Sequence, residues 1–367
     1  MELTPTPLAR WSGVEGRPVL IAGPCSAESR DQLDETARRL AGLRVDYLRA
    51  GVWKPRTRPG SFEGIGEAAL PWLAEAGRRH GLRTATEVAS AAHVEAALGQ
   101  GIDLLWIGAR TTASPFAVQE IANALRGTTV PVLVKNPTSP EIGLWFGALE
   151  RVHSAGVRSL GAIHRGFSTA GGGRYRNAPM WELAIEFRRA LPQVPLLADP
   201  SHIAGQRELV PELAQAAMDL GLDGLMIETH PNPDQAWSDA AQQVTPERLG
   251  EVLGRLRVRM ATSSEPGVNA ELQALRDRID HVDQAVLDLL AQRMRLVEEI
   301  AEAKRAGNIA SLQVARWRAL LDQRLELAGR LGLPPDYARA VFEVIHAESV
   351  RRQNELMEDP VAPAPPA

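Results

Sequence analysis

Residues 194–230 read VPLLADPSHIAGQRELVPELAQAAMDLGLDGLMIETH. Two apolar runs, VPLLADPSH (194–202) and GLMIETH (224–230), enclose a segment that stops at Gly221. Each run is nearly continuously apolar rather than alternating, as fits a strand of a parallel sheet covered on both faces. A glycine just past a helical stretch is a common helix stop. The unit therefore reads as strand, helix, parallel strand. Both strands end in polar side chains: Asp199 and His202 in the first, Glu228 in the second.

Working outward, the same pattern recurs from residue 19 to about 260. The other strand candidates are VLIAGPC (19–25), YLRAGVWK (47–54), RTATEV (83–88), LLWIGAR (104–110), VPVLVKN (130–136) and SLGAIHR (159–165). Helical patterns such as DQLDETARRLAGL and MWELAIEFRRAL lie between them, with further stops at Gly81, Gly101 and Gly156. Eight such units predict a (β/α)8 TIM barrel in the α/β class, over residues 1–260. A doubly wound open sheet is the alternative, but no G-x-G-x-x-G opens the first helix.

ATSSEPGV (261–268) reads as a linker, and beyond it no strand pattern occurs. Residues 269–357 predict a small all-α domain of three helices: one long helix from Val268, then about 314–331 and 336–357. Leu272, Leu275, Ile279, Val282, Val286 and Leu289 repeat on one face of the long helix. A single chain of this length cannot cover that stripe, so a homodimer through the helical domain is expected. The Pro/Ala-rich tail 358–367 is expected to be disordered.

A formal net charge of −4 with 44% hydrophobic residues excludes broad nucleic-acid binding, which needs clustered cations. No run is long and apolar enough for a membrane span, and no signal peptide is visible. The single cysteine, Cys25, cannot form an internal disulfide, so a reducing cytoplasm is expected. Cys25 is then inert packing, a soft ligand or a nucleophile.

In a barrel, the C-terminal strand ends converge on one face. Cys25, His202, Glu228 and the following Asp239 form a sulfur, nitrogen and oxygen set suited to a divalent metal, with manganese, iron, cobalt or zinc all compatible. Arg49, Lys54, Arg110, Lys135 and Arg165 place five cations in the same mouth, and Arg56, Thr57 and Glu87 stand nearby. Burying that charge requires an anion, and phosphate with carboxylate suits Arg and Lys.

The motifs GPCSAES, LRAGVWKPRT, GARTT, VKNP, HRGF and ADPSH, with the Glu228-x10-Asp239 spacing, resemble the 3-deoxy-D-arabino-heptulosonate 7-phosphate (DAHP) synthases of the short-barrel class. KPRT at 54–57 matches the DAHP branch rather than the related octulosonate 8-phosphate branch, which remains the alternative for the barrel. The resemblance implies condensation of phosphoenolpyruvate with erythrose 4-phosphate, releasing phosphate. It implies that Cys25, His202, Glu228 and Asp239 hold a metal, manganese being the first expectation. Arg49, Lys54 and Lys135 would meet the phosphoenolpyruvate carboxylate, and Arg110 and Arg165 its phosphate. Lys54 would also supply a proton, Arg56 and Thr57 would meet erythrose 4-phosphate, and Glu87 would sit near the attacking water.

In the helical segment, Arg293 interrupts the apolar stripe, and Lys304 lies about three turns on, on nearly the same side. Ser349 and Gln353 share a face of the last helix. Residues 269–357 resemble the all-helical chorismate mutases, which are intertwined dimers. The resemblance implies that Arg276, Arg293, Lys304, Gln313, Arg316, Ser349 and Gln353 line a site for chorismate, Arg276 reaching into the partner's site. Gln313 and Trp317 stand where the family usually carries carboxylates, and Trp317 cannot accept a hydrogen bond. The leading expectation is a bifunctional shikimate-pathway enzyme. The alternative makes the helical segment a non-catalytic dimerisation and sensor module. Because the barrel begins almost at residue 1, feedback by prephenate or chorismate is expected through the helical domain.

Overall fold

Eight parallel strands close into a barrel in sequence order. They are β1 (Val19–Gly23), β2 (Tyr47–Arg49), β3 (Arg83–Val88), β4 (Leu104–Ile107), β5 (Val132–Lys135), β6 (Leu160–His164), β7 (Leu196–Ala198) and β8 (Gly224–Glu228). β1 closes the ring on β8, Val19 opposite Gly224 and Gly23 opposite Glu228. The outer helices are α1 (Arg30–Leu40), α2 (Leu70–His80), α3 (Ala91–Gly99), α4 (Pro115–Ala124), α5 (Ile142–Ser154), α6 (Trp181–Ala190), α7 (Val210–Asp219) and α8 (Pro246–Arg255). This is a computed structural model, and it describes residues 3–54, 60, 62–169, 173–259, 262 and 265–357. The chain divides into two compact units, 1–261 and 262–367.

Two apolar layers explain why the strands read as continuous. Side chains alternate along a strand. Ile21, Tyr47, Trp106, Leu133, Leu197 and Met226 belong to a cluster inside the barrel. Their neighbours Leu20, Leu48, Leu105, Val134, Leu196 and Ile227 belong to the larger cluster under the helices. Both faces of each strand are therefore dry, as a parallel barrel requires.

One further step of two along the inner rows leads out of the core. Tyr47 is followed by Arg49, Ala85 by Glu87, Leu133 by Lys135, Ile163 by Arg165, Leu197 by Asp199 and Met226 by Glu228. Alternation thus delivers six charged side chains to the layer above the core. Two glycines make room there. Gly23 has φ 146°, and a Cβ on it would lie 2.1 Å from the Arg49 carbonyl oxygen. A Cβ on Gly108 would lie 2.1 Å from Glu87 Oε1. The opposite end is closed by the N-terminal segment. Leu8 and Trp11 pack on the inner cluster. Thr6 N donates to Arg158 O at 2.7 Å, and the Leu3 carbonyl accepts from Gln193 Nε2 at 2.7 Å.

The second unit has three helices, α9 (Pro266–Ala306), α10 (Val314–Arg330) and α11 (Pro335–Met357). α9 begins inside the stretch read as a linker, at a proline, which suits the first turn of a helix. α11 packs on both α9 and α10. The buried side chains are few: Val297, Ala301, Leu321, Ala328, Ala338, Ser349 and Gln353. The stripe from Leu272 to Leu289 is uncovered, its six members being 44% to 65% exposed.

Candidate active site

Trp106, fully buried at the top of the inner layer, organises the charges above it. The Arg49 guanidinium lies 4.8 Å and the Lys135 ammonium 5.7 Å from its ring centroid. Its indole N–H donates to Glu87 Oε2 at 3.0 Å. Arg49 pairs with Glu228 Oε1 at 3.1 Å, and Lys135 donates to Asp199 Oδ2 at 2.7 Å. These pairs leave cationic capacity over. Arg49 Nε and Nη1 are buried with no hydrogen-bond partner among the described residues. Arg165 donates to Asn177 Oδ1 at 2.8 Å, and burial pulls its pKa down to about 10. Lys54, Arg110, Lys135 and Arg165 line one cavity of about 330 Å³, with Glu87, His202 and Asp239 also on its walls. A bound anion would satisfy the buried guanidinium groups.

Beside the cations, Cys25, Glu228 and Asp239 each bring one ligand atom within 4.8 Å of the others. Lys54 Nζ donates to Cys25 Sγ at 2.9 Å and to its carbonyl at 3.0 Å. Burial, and then the Glu228 charge, push the Cys25 thiol up to about 12. Burial disfavours the Lys54 ammonium, but Cys25, Glu228 and Glu87 outweigh it and raise its pKa. Burial likewise opposes ionisation of Asp239, but Arg176 and Lys54 prevail and hold it well below the usual carboxylate range. Asp239 has φ 42°, an uncommon conformation for a non-glycine residue that aims its side chain back at the barrel mouth.

His202 is not one of those three. Its Nδ1 lies 2.8 Å from Asp199 Oδ2, and its Nε2 lies 3.8 Å from Glu228 Oε1. Burial lowers its pKa, which favours the neutral, ligating ring. A thiol, two carboxylates and a neutral imidazole at their edge fit a divalent transition metal. So does the buried Glu228 Oε1, which lacks a hydrogen-bond donor among the described residues.

Arg56 and Thr57 lie outside the described residues. Arg176, Asn177, Thr138 and Ser168 line the cavity without having been singled out from sequence. They sit on loops after β5 and β6, where no periodicity marks them; only the nearby VKNP and HRGF motifs point that way.

In the helical unit, Arg293 Nη1 donates to Ser349 Oγ, and Lys304 Nζ donates to Gln353 Oε1 at 2.9 Å and to Ser311 O at 2.6 Å. α11 thus gathers four of the residues expected for this site. Gln313 and Arg316 are exposed. Arg276 is also exposed, and it lies about 25 Å from Arg293 along the same helix at the standard rise per residue. Trp317 stacks flat on His346, with centroids 3.8 Å apart and planes at 5°.

The arrangement has close counterparts. Residues 8–261 match the DAHP synthetase I family, and residues 275–354 match chorismate mutase type II. A phospho-2-dehydro-3-deoxyheptonate aldolase of Thermotoga maritima is 34% identical over 241 residues, covering 65% of this chain and 68% of its own. A 2-dehydro-3-deoxyphosphooctonate aldolase of Francisella tularensis subsp. holarctica is 28% identical over 272 residues, 68% of this chain and 94% of its own. The crystal structure of the T. maritima phospho-2-dehydro-3-deoxyheptonate aldolase (DAHP synthase) superposes with a TM-score of 0.59 at 32% identity, covering 65% of this chain and 68% of that one. A truncated T. maritima 3-deoxy-D-arabino-heptulosonate 7-phosphate synthase gives 0.59 at 28% identity, covering 76% and 94%. Fold and site therefore define a transferase barrel followed by an isomerase domain of the chorismate mutase type. The chain belongs to the DAHP synthetase I family.

His164, on β6 beside the site, gives a test of the barrel's upper layer. Its Nε2–H donates to Pro179 O at 2.6 Å, and burial lowers its pKa from 6.5 to about 4. Below pH 6.5 the unfolded chain takes up a proton that the folded ring refuses until about pH 4, so stability falls as the pH falls. Between pH 7 and pH 5 this group should cost about 2 kcal/mol. Urea melts at the two pH values should show a loss smaller in His164→Asn than in the wild type by about that amount.

Proposed function

We propose that the barrel condenses phosphoenolpyruvate with erythrose 4-phosphate to DAHP and phosphate, and that the helical unit converts chorismate to prephenate. The observation that carries the first reading is the meeting of surplus buried cations with Cys25, Glu228 and Asp239 at one mouth. Arg49, Lys54 and Lys135 would hold the phosphoenolpyruvate carboxylate, and Arg110 and Arg165 its phosphate. Arg56 and Thr57 would meet the second substrate. Cys25, Glu228 and Asp239, joined by His202, would hold a divalent metal, manganese first. Bound there, it would supply Lewis-acid polarisation of the aldehyde. Lys54, hydrogen-bonded to Cys25 and facing the cavity, would deliver a proton to the developing alkoxide. Glu87, fixed by the Trp106 N–H, would orient water.

For the mutase, binding and orientation suffice, since the rearrangement needs no nucleophile. Arg293 and Lys304 would hold one carboxylate and the ether oxygen, with Gln353 beside it. Arg276 would complete the site of a second copy. Support for that homodimer comes from the exposed stripe on α9, together with the length of helix that keeps Arg276 from its own Arg293.

Chelation should abolish phosphoenolpyruvate consumption, and manganese should restore it, with erythrose 4-phosphate preferred over arabinose 5-phosphate. Preference for the five-carbon sugar would move the barrel to the octulosonate branch. Chorismate loss should fall at least 100-fold in both Arg276→Ala and Arg293→Ala, and mixing the two should recover about a quarter of the sites as intact. No turnover in the wild type, with prephenate binding retained, would favour the sensor role. The fusion itself supports feedback: prephenate should inhibit the synthase reaction in the wild type and not in Arg293→Ala.

A further inference from the structure

Two residues link the acidic side chains of the proposed metal group from behind. Gln242 follows β8 and is 1% exposed. Its Nε2–H donates to Glu228 Oε2 at 2.7 Å, and its Oε1 accepts from Arg176 Nη1 at 2.7 Å. The same Arg176 nitrogen lies 3.3 Å from Asp239 Oδ1. The amide has no freedom to turn over, because a carboxylate only accepts and a guanidinium only donates. Asp239, Arg176, Gln242 and Glu228 therefore form one directed chain that engages one oxygen of each carboxylate.

The remaining oxygens face elsewhere. Asp239 Oδ2 lies 3.5 Å from Cys25 Sγ. Glu228 Oε1 lies between Arg49, at 3.1 Å, and His202 Nε2, at 3.8 Å, without a hydrogen bond among the described residues. A carboxylate whose second oxygen is already held binds an ion through one oxygen, in a fixed direction. Arg176 also offsets the repulsion of placing two carboxylates next to a thiol. It stands next to Asn177, whose Oδ1 accepts from Arg165, so one loop serves both the anion side and the acidic side of the cavity.

We infer that Arg176 and Gln242 are positioning residues that hold Glu228 and Asp239 as one-oxygen ligands of the metal. The inference rests on the metal reading above, and the experiment separates the two. Full-length protein, stripped of metal, is titrated with Mn²⁺ while free ion is read by electron paramagnetic resonance. The wild type should bind one ion, and Cys25→Ala should bind it far more weakly. Gln242→Met and Arg176→Met should each raise the Mn²⁺ Kd by about 10- to 100-fold, with Arg176→Lys recovering part of the loss. Metal-free melting temperatures should stay close to the wild type in the Arg176 variants, whose altered side chain is 45% exposed. If Gln242→Met does not fold, the Arg176 pair decides. Methionine variants with wild-type Kd, alongside a weakened Cys25→Ala, would overturn the positioning role and leave the metal reading standing. A wild type that binds no Mn²⁺ would overturn both.

Discussion

Neutralising charge without water is the condition on which this barrel depends. Arg49 is 1% exposed and its partner Glu228 0%, and they meet at 3.1 Å. A pair so deeply buried recovers its desolvation cost only through good geometry and additional hydrogen bonds. Trp106 supplies a face for Arg49, Gln242 supplies a donor for Glu228, and Asp199 does for Lys135 what Glu228 does for Arg49. Arg49 still keeps two buried nitrogens without acceptors among the described residues. The mouth is thus built short of negative charge, and a bound anion would complete it rather than compete with it. Binding and preorganisation follow from the same imbalance.

Much of this could be read from sequence because period two and the barrel rule act together. Once the apolar runs are taken as strands of a (β/α)8 barrel, Arg49, Lys135, Arg165, Asp199 and Glu228 are simply the next inward positions after the core. Arg176, Asn177 and Gln242 could not be read this way. They lie on loops or, for Gln242, in a single 3-10 turn (Ala240–Gln242), where neither alternation nor helical spacing says which way a side chain points, and their neighbours Arg174 and Gln243 look equally good on paper. His202 shows the same limit in another form. Its motif groups it with the metal set, while three-dimensional placement gives its Nδ1 to Asp199 and only the edge of the ring to Glu228. α9 starts two residues before Val268: Glu265-Pro266-Gly267 has linker composition, while a proline is welcome in a first helical turn.

The two units use opposite strategies for their chemistry. The barrel encloses its charged groups above a dry, layered core. The helical unit has so little interior that Ser349 and Gln353 are among its best-buried residues, each held by a cation from α9. The flat Trp317–His346 stack adds an aromatic contact between α10 and α11.

The plug formed by residues 3–14 has a bearing on how the chain is made. The Leu3 carbonyl is met by Gln193, 190 positions later, and Thr6 waits for Arg158. β1 likewise has no second neighbour until β8 emerges. This segment must therefore stay unpaired until those partners have been made, with Leu3, Leu8 and Trp11 uncovered. Contacts this distant along the chain form slowly and leave apolar surface open meanwhile. The ring closes, and that apolar surface is covered, only when β8 reaches β1.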